Sequence, residues 1–219
     1  MAINKSKGNM YPWVTHTWNA IKGKCPHDCL YCFMKRYPQP ELHFDEKELK
    51  TDLGQGNFIF VGSSCDMWAE EVSMEWQDKV IRHCCNYNNT YLFQTKNPAS
   101  HRFSFVPALP DKTILGITLE SNRAYPDIGK APLPLARVVA FASLNYPKMV
   151  SIEPVLDFDV DLLVAEIKII KPEFVSIGAD SQRHHLPEPS GDKIRALIDG
   201  LRGISTVKQK DNLKRLLKQ

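Results

Sequence analysis

The chain has 219 residues, of which 43% are hydrophobic and 24% charged, an ordinary globular composition with enough apolar mass for one core. No apolar run approaches the ~20 residues that a membrane-spanning helix needs, and the start lacks the apolar stretch of a signal peptide. The net charge of +3 is too small to identify a partner by itself. We therefore expect a protein without a membrane partner, and the lack of a linker or repeat favours a single domain spanning residues 1–219.

Short β-branched or aromatic runs alternate along the chain with amphipathic stretches. Strands are predicted at residues 13–19, 57–62, 90–95, 113–118, 149–152, 174–178 and 204–207. Helices are predicted at residues 45–50, 73–85, 135–142, 159–170 and 192–201. Asp45 with Glu48 forms a capping box for the first of these helices, and Ser73 caps the second. This alternation implies βαβ units and a parallel sheet, and because six units are too few for a full barrel, we predict an α/β fold, a partial (βα)6 TIM-type barrel.

A cluster of cysteines follows the first predicted strand. Cys25, Cys29 and Cys32 have the spacing C-x3-C-x2-C. A [4Fe–4S] cluster normally takes four thiolates, so three would leave one iron open to another ligand. Zinc with His27 as a fourth ligand, or three unrelated buried thiols, are the alternatives. Clustered cysteines favour a metal site in the reducing cytoplasm over disulfides.

Each predicted strand ends in polar or charged residues. In a parallel barrel these ends gather at one face, where active sites lie. A shared polar site is therefore expected there, although turn composition gives some of this pattern by chance. The strand ends are Gly62-Ser63-Ser64-Cys65-Asp66, Thr95-Lys96, Glu120-Ser121-Asn122, Glu153-Pro154, Gly178-Ala179-Asp180-Ser181 and Lys208-Gln209-Lys210.

The cysteine spacing, with Tyr31 directly before the third cysteine, resembles the signature of radical S-adenosylmethionine (SAM) enzymes. The ordered segments TWNAIKGKC, CLYCF, FIFVGSSCDMW, TYLFQTKNP, TILGITLESN, MVSIEPVL, FVSIGADS and VKQKDN resemble the phage Gp37/Gp68-type radical SAM proteins and, more distantly, spore photoproduct lyase. The resemblance runs from about residue 13 to residue 213. It implies a [4Fe–4S] cluster that reductively cleaves SAM to give a 5′-deoxyadenosyl radical, with a flavodoxin- or ferredoxin-type electron donor.

The resemblance also implies roles for individual residues. The cluster ligands would be Cys25, Cys29 and Cys32, and Cys65 would be a candidate hydrogen-atom donor, with a small buried hydrophobe as its alternative. The SAM-binding residues would be Tyr31 near the adenine, Ser63, Ser64 and Asp66 at the amino group, Lys96 at the carboxylate, Glu120 or Ser121 at the ribose, and Glu153. For Glu120 and Glu153 the alternative is an ion pair inside the barrel mouth.

Three functions compete. The first is a radical SAM enzyme that modifies or repairs a nucleic-acid base, supported by the basic residues around the cysteine loop and at the C-terminus. Bases could stack on Trp13, Trp18, Tyr37 and Trp68. The second is a radical SAM enzyme acting on a small metabolite or peptide, and the third is a non-catalytic iron–sulfur or zinc module that binds nucleic acid. His184-His185 is a candidate substrate contact or a solvated loop.

Overall fold

The computed structural model of the protein describes residues 3–99 and 109–218. The chain divides into two compact units. The first comprises Met1–Asp28 and Cys32–Leu115, and the second comprises Cys29–Tyr31 and Gly116–Gln219.

The first unit is built on a mostly parallel sheet. Its strands are β1 Asn4–Lys5, β2 His16–Trp18, β3 Ile21–Lys22, β4 His43–Phe44, β5 Phe58–Val61 and β6 Thr90–Thr95. The order is β1-β2-β5-β6, in which β1 is antiparallel to β2 while β2, β5 and β6 run parallel. The strands β3 and β4 form a separate antiparallel pair. The carboxyl ends of β2, β5 and β6 therefore meet at one edge.

One α-helix and two 3₁₀ helices complete the described part of this unit. They are α1 Met74–Cys85 and the 3₁₀ helices Phe33–Arg36 and Glu46–Lys50. The Ser73 hydroxyl accepts a hydrogen bond from the Trp76 amide and caps α1. The apolar face of α1 buries Val80, Ile81 and Cys84, whereas Cys85 is exposed.

The second unit repeats the alternation of strand and helix. Its strands are β8 Lys148–Ile152, β9 Phe174–Ile177 and β10 Thr206–Gln209, and β7 Thr113–Thr118 runs into it from the last residues of the first unit. The strands β8, β9 and β10 are parallel and lie in chain order. The helices are α2 Pro134–Ala142, α3 Val160–Ile170, α4 Gly191–Leu201 and the short α5 Lys214–Leu217, with a 3₁₀ turn at Pro126–Ile128 and another at Asp211–Leu213. Every residue of β9 is buried, as expected for a strand covered on both faces.

The prediction of an α/β fold with parallel strands is confirmed. The strands at 90–95 and 113–118 have the predicted bounds, while the first strand is shorter than predicted and the last lies two residues later, at Thr206–Gln209. Asp45 caps its helix as predicted, but the helix is 3₁₀. The Glu48 carboxylate does not close a capping box, because Trp18, Lys22 and Thr51 bind it instead. No helix among residues 3–99 and 109–218 is long and apolar enough to span a membrane.

Candidate functional site

The loop after β5 places Ser63, Ser64 and Cys65 beside the end of β2. Gly62 has a φ of 77°, and a Cβ there would lie 3.1 Å from the Cys65 carbonyl oxygen, so the turn requires glycine. The Asn19 side-chain oxygen accepts hydrogen bonds from the Ser63 hydroxyl at 3.2 Å and the Ser64 amide at 2.9 Å. Asn19 thus holds Ser63 and Ser64 in place, the two serines that are predicted from the sequence to bind the amino group of SAM.

Asp66 lies at the centre of a buried hydrogen-bond network in the first unit. One carboxylate oxygen accepts from the Lys96 amide at 2.8 Å and the Thr95 hydroxyl at 2.9 Å, and also contacts His27 Nε2 at 2.8 Å. The other accepts from the Trp68 amide at 3.0 Å. These four contacts join the cysteine loop to the ends of β5 and β6.

His27 and Asp66 form an ion pair with side chains only 6% and 9% exposed. Burial lowers the pKa of His27, but the hydrogen bond and charge of Asp66 outweigh it and the pKa is raised. Burial raises the pKa of Asp66, but the hydrogen bond and charge of His27 outweigh it and the pKa is lowered. Both shifts favour the charged forms. Because Nε2 of His27 is bound to Asp66, the arrangement disfavours His27 as a zinc ligand through that nitrogen.

Cys25 and Cys65 lie side by side. A hydrogen bond from the Cys65 thiol lowers the pKa of Cys25 to about 6, and the same contact, with burial, raises the pKa of Cys65. Burial raises the pKa of Cys32, while the charge of Lys96 acts on it in the opposite direction. The Lys96 charge therefore acts on a residue of the cysteine loop.

The donor set fits an iron–sulfur cluster in its chemistry. The side chains of Cys25, Cys29 and Cys32 are reduced thiols that form no disulfide, and thiolates are the soft ligands that iron–sulfur clusters take. In the part of the chain that the structure describes, no three His, Cys, Asp or Glu side chains are gathered closely enough to hold a metal ion. The loop is thus not a preformed metal site.

The second unit contains a cavity, open to solvent, next to Cys29 and Tyr31. The Tyr31 hydroxyl donates to Glu120, whose other oxygen accepts from Arg137 Nη1 at 2.8 Å. Glu120 and Arg137 are 3% and 5% exposed. Burial, and then the charge of Glu120, raises the pKa of Tyr31 well above its usual value, which keeps the phenol protonated as a donor. Arg123 and Tyr125 also line the cavity.

Two further predicted SAM-binding residues of this unit have protein partners. The Ser121 hydroxyl, which also lines the cavity, donates to the Asp157 carbonyl at 2.6 Å and accepts from the Arg123 amide at 3.0 Å. Glu153 pairs with Lys210 at 2.9 Å, with both side chains largely buried. Glu120 and Glu153 therefore lie in ion pairs, as the alternative interpretation of the sequence expected.

Ion pairs take up much of the basic charge that the sequence places around the cysteine loop. Lys22 binds Asp45 and Glu48, Lys24 binds Glu41, and Lys35 binds Asp28. At the C-terminus Lys214 and Arg215 pair with Asp211 and Glu188. Because each of these five cations has an acidic neighbour, it contributes less positive potential than the sequence suggests.

The aromatic stacking prediction is wrong for two residues. Trp18 and Trp68 are 1% and 0% exposed and belong to the core. Trp13 stacks on Tyr11 with ring centroids 4.9 Å apart. Tyr37, at 59% exposed, remains accessible, and so does Phe33, at 47%, which the sequence interpretation missed.

Most predicted site residues fall into two groups. Cys25, Cys65, Asp66 and Lys96 lie near one another in the first unit, and Tyr31 and Glu120 meet in the second. The sequence interpretation missed two partners that hold them, namely Asn19 and Arg137, whereas Thr95 was among the predicted polar strand ends. Asn19 stands at a strand end, which is a signal that could have found it. Arg137 lies inside an otherwise apolar helix, and its charge there is the corresponding signal.

The fold is similar to that of solved spore photoproduct lyase structures. A cysteine-to-serine mutant of that enzyme has a TM-score of 0.58 at 11% identity, covering 91% of this chain and 78% of the lyase chain. A cysteine-to-alanine mutant with dinucleoside spore photoproduct has a TM-score of 0.55 at 11% identity, over 93% of this chain and 66% of the lyase chain. A double mutant with bound AdoMet and dinucleoside spore photoproduct has a TM-score of 0.55, 10% identity and the same coverage. No family model and no curated protein matches the sequence.

Proposed function

We propose that the protein is a radical SAM enzyme in which Cys25, Cys29 and Cys32 hold a [4Fe–4S] cluster. The observation that carries this proposal is the place of the C-x3-C-x2-C loop within the fold. It comes after β2, the first parallel strand, and the short strand β3, in a chain whose fold resembles spore photoproduct lyase over 91% of its length. The three thiols are not gathered into a metal site in the described residues, so loading would have to bring them together.

The cluster, when bound, supplies the electron that cleaves SAM. Lys96, whose charge acts on Cys32, is the proposed partner of the SAM carboxylate. Ser63 and Ser64, oriented by Asn19, would bind the amino group. Asp66 would contribute mainly by fixing the Lys96 amide, since its oxygens accept from four protein groups.

The cavity in the second unit is the proposed adenosine site. Tyr31 and Glu120 line it, and Ser121 places a hydroxyl at the same wall. Glu153, paired with Lys210, is proposed to support the cofactor at the end of β8. Cys65, which is 2% exposed and hydrogen-bonded to Cys25, is the proposed hydrogen-atom donor, because its burial shields the thiol from solvent.

Anaerobic reconstitution with iron and sulfide tests the cluster directly. The protein should hold about four irons, the number in a cubane. Cys25→Ala, Cys29→Ala and Cys32→Ala should each lose them. Cys65→Ala and Cys85→Ala are the matched controls and should keep them. Full iron retention after any one of the three ligand changes contradicts the assignment, and a single bound zinc ion in place of iron would favour the non-catalytic alternative.

A nucleic-acid base is the proposed substrate, to be modified or repaired. It is supported by the neighbour with bound AdoMet and dinucleoside spore photoproduct and by the exposed aromatic side chains of Phe33 and Tyr37. A small metabolite is the second candidate, because acidic partners neutralise several of the basic residues near the loop. A flavodoxin- or ferredoxin-type donor and a cytoplasmic location are proposed with either substrate.

Incubating the reconstituted protein with SAM and a strong reductant distinguishes a catalyst from a binding module. 5′-Deoxyadenosine should accumulate if the reaction consumes SAM, and an oligonucleotide should change the amount that forms in either case. Cleavage stimulated only by small metabolites would favour the second candidate. No cleavage by a fully iron-loaded protein would contradict the enzyme assignment.

A further inference from the structure

Helix α2 has an outer surface without charge. Its only charged residue, Arg137, is buried and bound to Glu120. The exposed residues of the helix are Leu135, Ala136 and Val139, of which Leu135 is 61% and Val139 65% exposed. A helix that is apolar on every side is typical of a position that other protein covers.

Helix α3 continues this apolar surface. It packs against α2 in the second unit and exposes Leu162, Ala165 and Ile169, which have the i, i+3, i+7 spacing of one helix face. Glu166 lies on the same face, but it is only partly exposed and its Oε2 is buried. Leu162 and Ile169 are 58% and 60% exposed. The two helices therefore present neighbouring large apolar side chains to solvent, a pattern that marks an interaction site.

Helix α4, the other neighbour of α3, has the surface expected of a helix that faces solvent. Its exposed residues include Asp192, Arg195 and Asp199. Asp192 pairs with Arg195 at 2.7 Å, and Asp199 pairs with Arg202 at 3.1 Å. Pairs at this spacing stabilise exposed helices. The uncharged surface is therefore a property of α2 and α3 and is not shared by α4.

Two opposite charges border the apolar face of α3. Asp161 and Lys168 are exposed and lie seven residues apart, which is about two turns, or roughly 10 Å, along one side of the helix. The positions one turn after Asp161 and one turn before Lys168 are the same two residues, Val164 and Ala165. Neither charge therefore has an opposite charge in its own helix at the spacing of three or four residues at which helical ion pairs form.

We propose that α2 and α3 form the interface of a two-fold dimer of this chain, in which α3 packs antiparallel against α3 of a second copy. A two-fold axis at Ala165 sets Leu162 against Ile169 of the second copy and Asp161 against its Lys168, because the midpoint of each pair lies within one residue of Ala165. Symmetry repeats both contacts, so the face is complementary to itself. The small side chain of Ala165 at the axis lets the two helices approach closely.

The charges of α3 identify a second copy as the occupant and fix its direction. In the antiparallel arrangement Asp161 meets Lys168 at both ends of the contact, whereas a parallel arrangement would oppose Asp161 to Asp161 and Lys168 to Lys168. The same axis crosses α2, which lies beside α3, and places Leu135 and Val139 against α2 of the second copy. The proposed interface thus has an apolar centre with charge pairs beside it, the usual anatomy of a protein–protein contact.

Sedimentation equilibrium of the full chain under reducing conditions tests the dimer. The mass should be twice the 25.0 kDa of one chain. Val139→Glu puts an unpaired charge into the proposed interface, so the dissociation constant should rise about tenfold or more. Met74→Glu is the matched control, because Met74 is an exposed apolar residue of the first unit, and it should leave the dimer unchanged.

Charge reversal tests the antiparallel pairing itself. Asp161→Lys and Lys168→Asp each oppose like charges at both contacts, so each variant alone should dimerise about tenfold more weakly than the unaltered chain. An equimolar mixture of the two variants should recover the affinity of the unaltered chain, because every contact in the mixed dimer then joins a lysine to an aspartate. Labelling one variant with a fluorophore lets sedimentation velocity distinguish the mixed dimer from the two self-associated ones.

Each of these measurements can overturn the inference. A chain that remains monomeric up to ~1 mM, where association is worth only about 4 kcal/mol, leaves the face to a different kind of partner and refutes the dimer. Equal weakening by Val139→Glu and Met74→Glu would place the contact elsewhere. Charge variants that associate with themselves as tightly as with each other would refute the antiparallel pairing. Iron and SAM take no part in these experiments, so their outcome is independent of the proposed function.

Discussion

At the scale of single residues, the buried pair of His27 and Asp66 links the cysteine loop to the strand ends. Removing one partner of a buried ion pair leaves the other charge uncompensated, which costs about 3 kcal/mol or more. His27→Leu should therefore lower the stability of the iron-free chain by about that amount. His27→Gln, which keeps an N–H donor near the position of Nε2, should recover much of the loss. Urea unfolding under reducing conditions measures both.

The pair of His27 and Asp66 also leads to a prediction about metal binding, which a measurement of stability does not test. If the pair positions the loop, iron should leave His27→Leu faster than it leaves His27→Gln when a chelator is added. Thr51→Val, a buried substitution elsewhere in the first unit, controls for general destabilisation. Iron loss from the control at the same rate as from His27→Leu would show that the pair supports only the fold.

Lys96 is the residue on which the proposed cofactor geometry depends most. Its backbone amide binds Asp66 and its charge acts on Cys32. Lys96→Ala keeps the amide and removes the charge, so SAM affinity should fall about tenfold while iron content stays the same. Lys112→Ala, which removes a lysine bonded to Asn88, is the matched control. Parallel loss of iron would assign Lys96 to the fold, and unchanged SAM affinity would remove it from the site.

At the scale of elements, helix α3 carries a partly buried carboxylate, that of Glu166. Oε2 of Glu166 is buried with no hydrogen-bond partner, and burial raises the pKa of Glu166 to about 7. At a pH below 4.5, the usual pKa of a glutamate side chain, Glu166 is protonated in both the folded and the unfolded chain. As the pH rises from 4.5 to about 7, Glu166 ionises in the unfolded chain before it ionises in the folded chain, and the free energy of unfolding therefore falls.

Glu166→Gln should remove this pH-dependent loss. The expected gain is about 1 kcal/mol at pH 8 and near zero at pH 4.5, after discounting the shift for the partial exposure of the side chain. Urea midpoints at the two pH values measure it. Asp161→Asn, an exposed carboxylate of the same helix, should bring no such gain, and a gain of equal size at both pH values would contradict the burial argument.

The sequence predicts elements well where a long apolar run determines them. The strands β6 and β7 are six-residue runs of this kind and have the predicted bounds. The strands β3 and β4 have two residues each, too few to show a period. At Glu48, contacts with Trp18 and Lys22 replace the expected capping contact. The local sequence pattern does not show which side chains folding brings together from distant positions in the chain.

The same limit applies to the candidate site. Parallel topology places polar strand ends together, so the positions of Ser63, Asp66 and Lys96 could be anticipated. The contact of His27 with Asp66 could not, because the two residues lie 39 positions apart in the chain and no local pattern records it. The roles assigned to the three cysteines stay a prediction, as no cluster geometry is preformed in the described residues.

At the scale of the whole molecule, ion pairing sets the response of nucleic-acid binding to salt. Each phosphate that the protein neutralises adds about 0.9 to the log–log salt slope for duplex DNA. Because Lys22, Lys24 and Lys35 already have acidic partners, we expect a shallow slope, equivalent to about two or three phosphates. Anisotropy titrations at several salt concentrations, with single- and double-stranded oligonucleotides, measure it.

Charge-reversal variants identify the surface that binds nucleic acid. Lys24→Glu with Arg36→Glu, both exposed near the cysteine loop, should flatten the slope further, whereas Arg82→Glu on α1 should not. Affinity no better than ~10⁻⁴ M at physiological salt, the weak end of non-specific binding, would favour the small-metabolite hypothesis instead.

The distribution of tryptophan gives the chain an optical probe for its domain organisation. All four tryptophans belong to the first unit, and two of them are fully buried. Of the α-helices in residues 3–99 and 109–218, only α1 lies in that unit. Intrinsic fluorescence therefore follows the first unit during unfolding, while far-ultraviolet circular dichroism follows chiefly the second. Coincident transitions would indicate one cooperative domain, as the sequence predicts, and separated midpoints would indicate two.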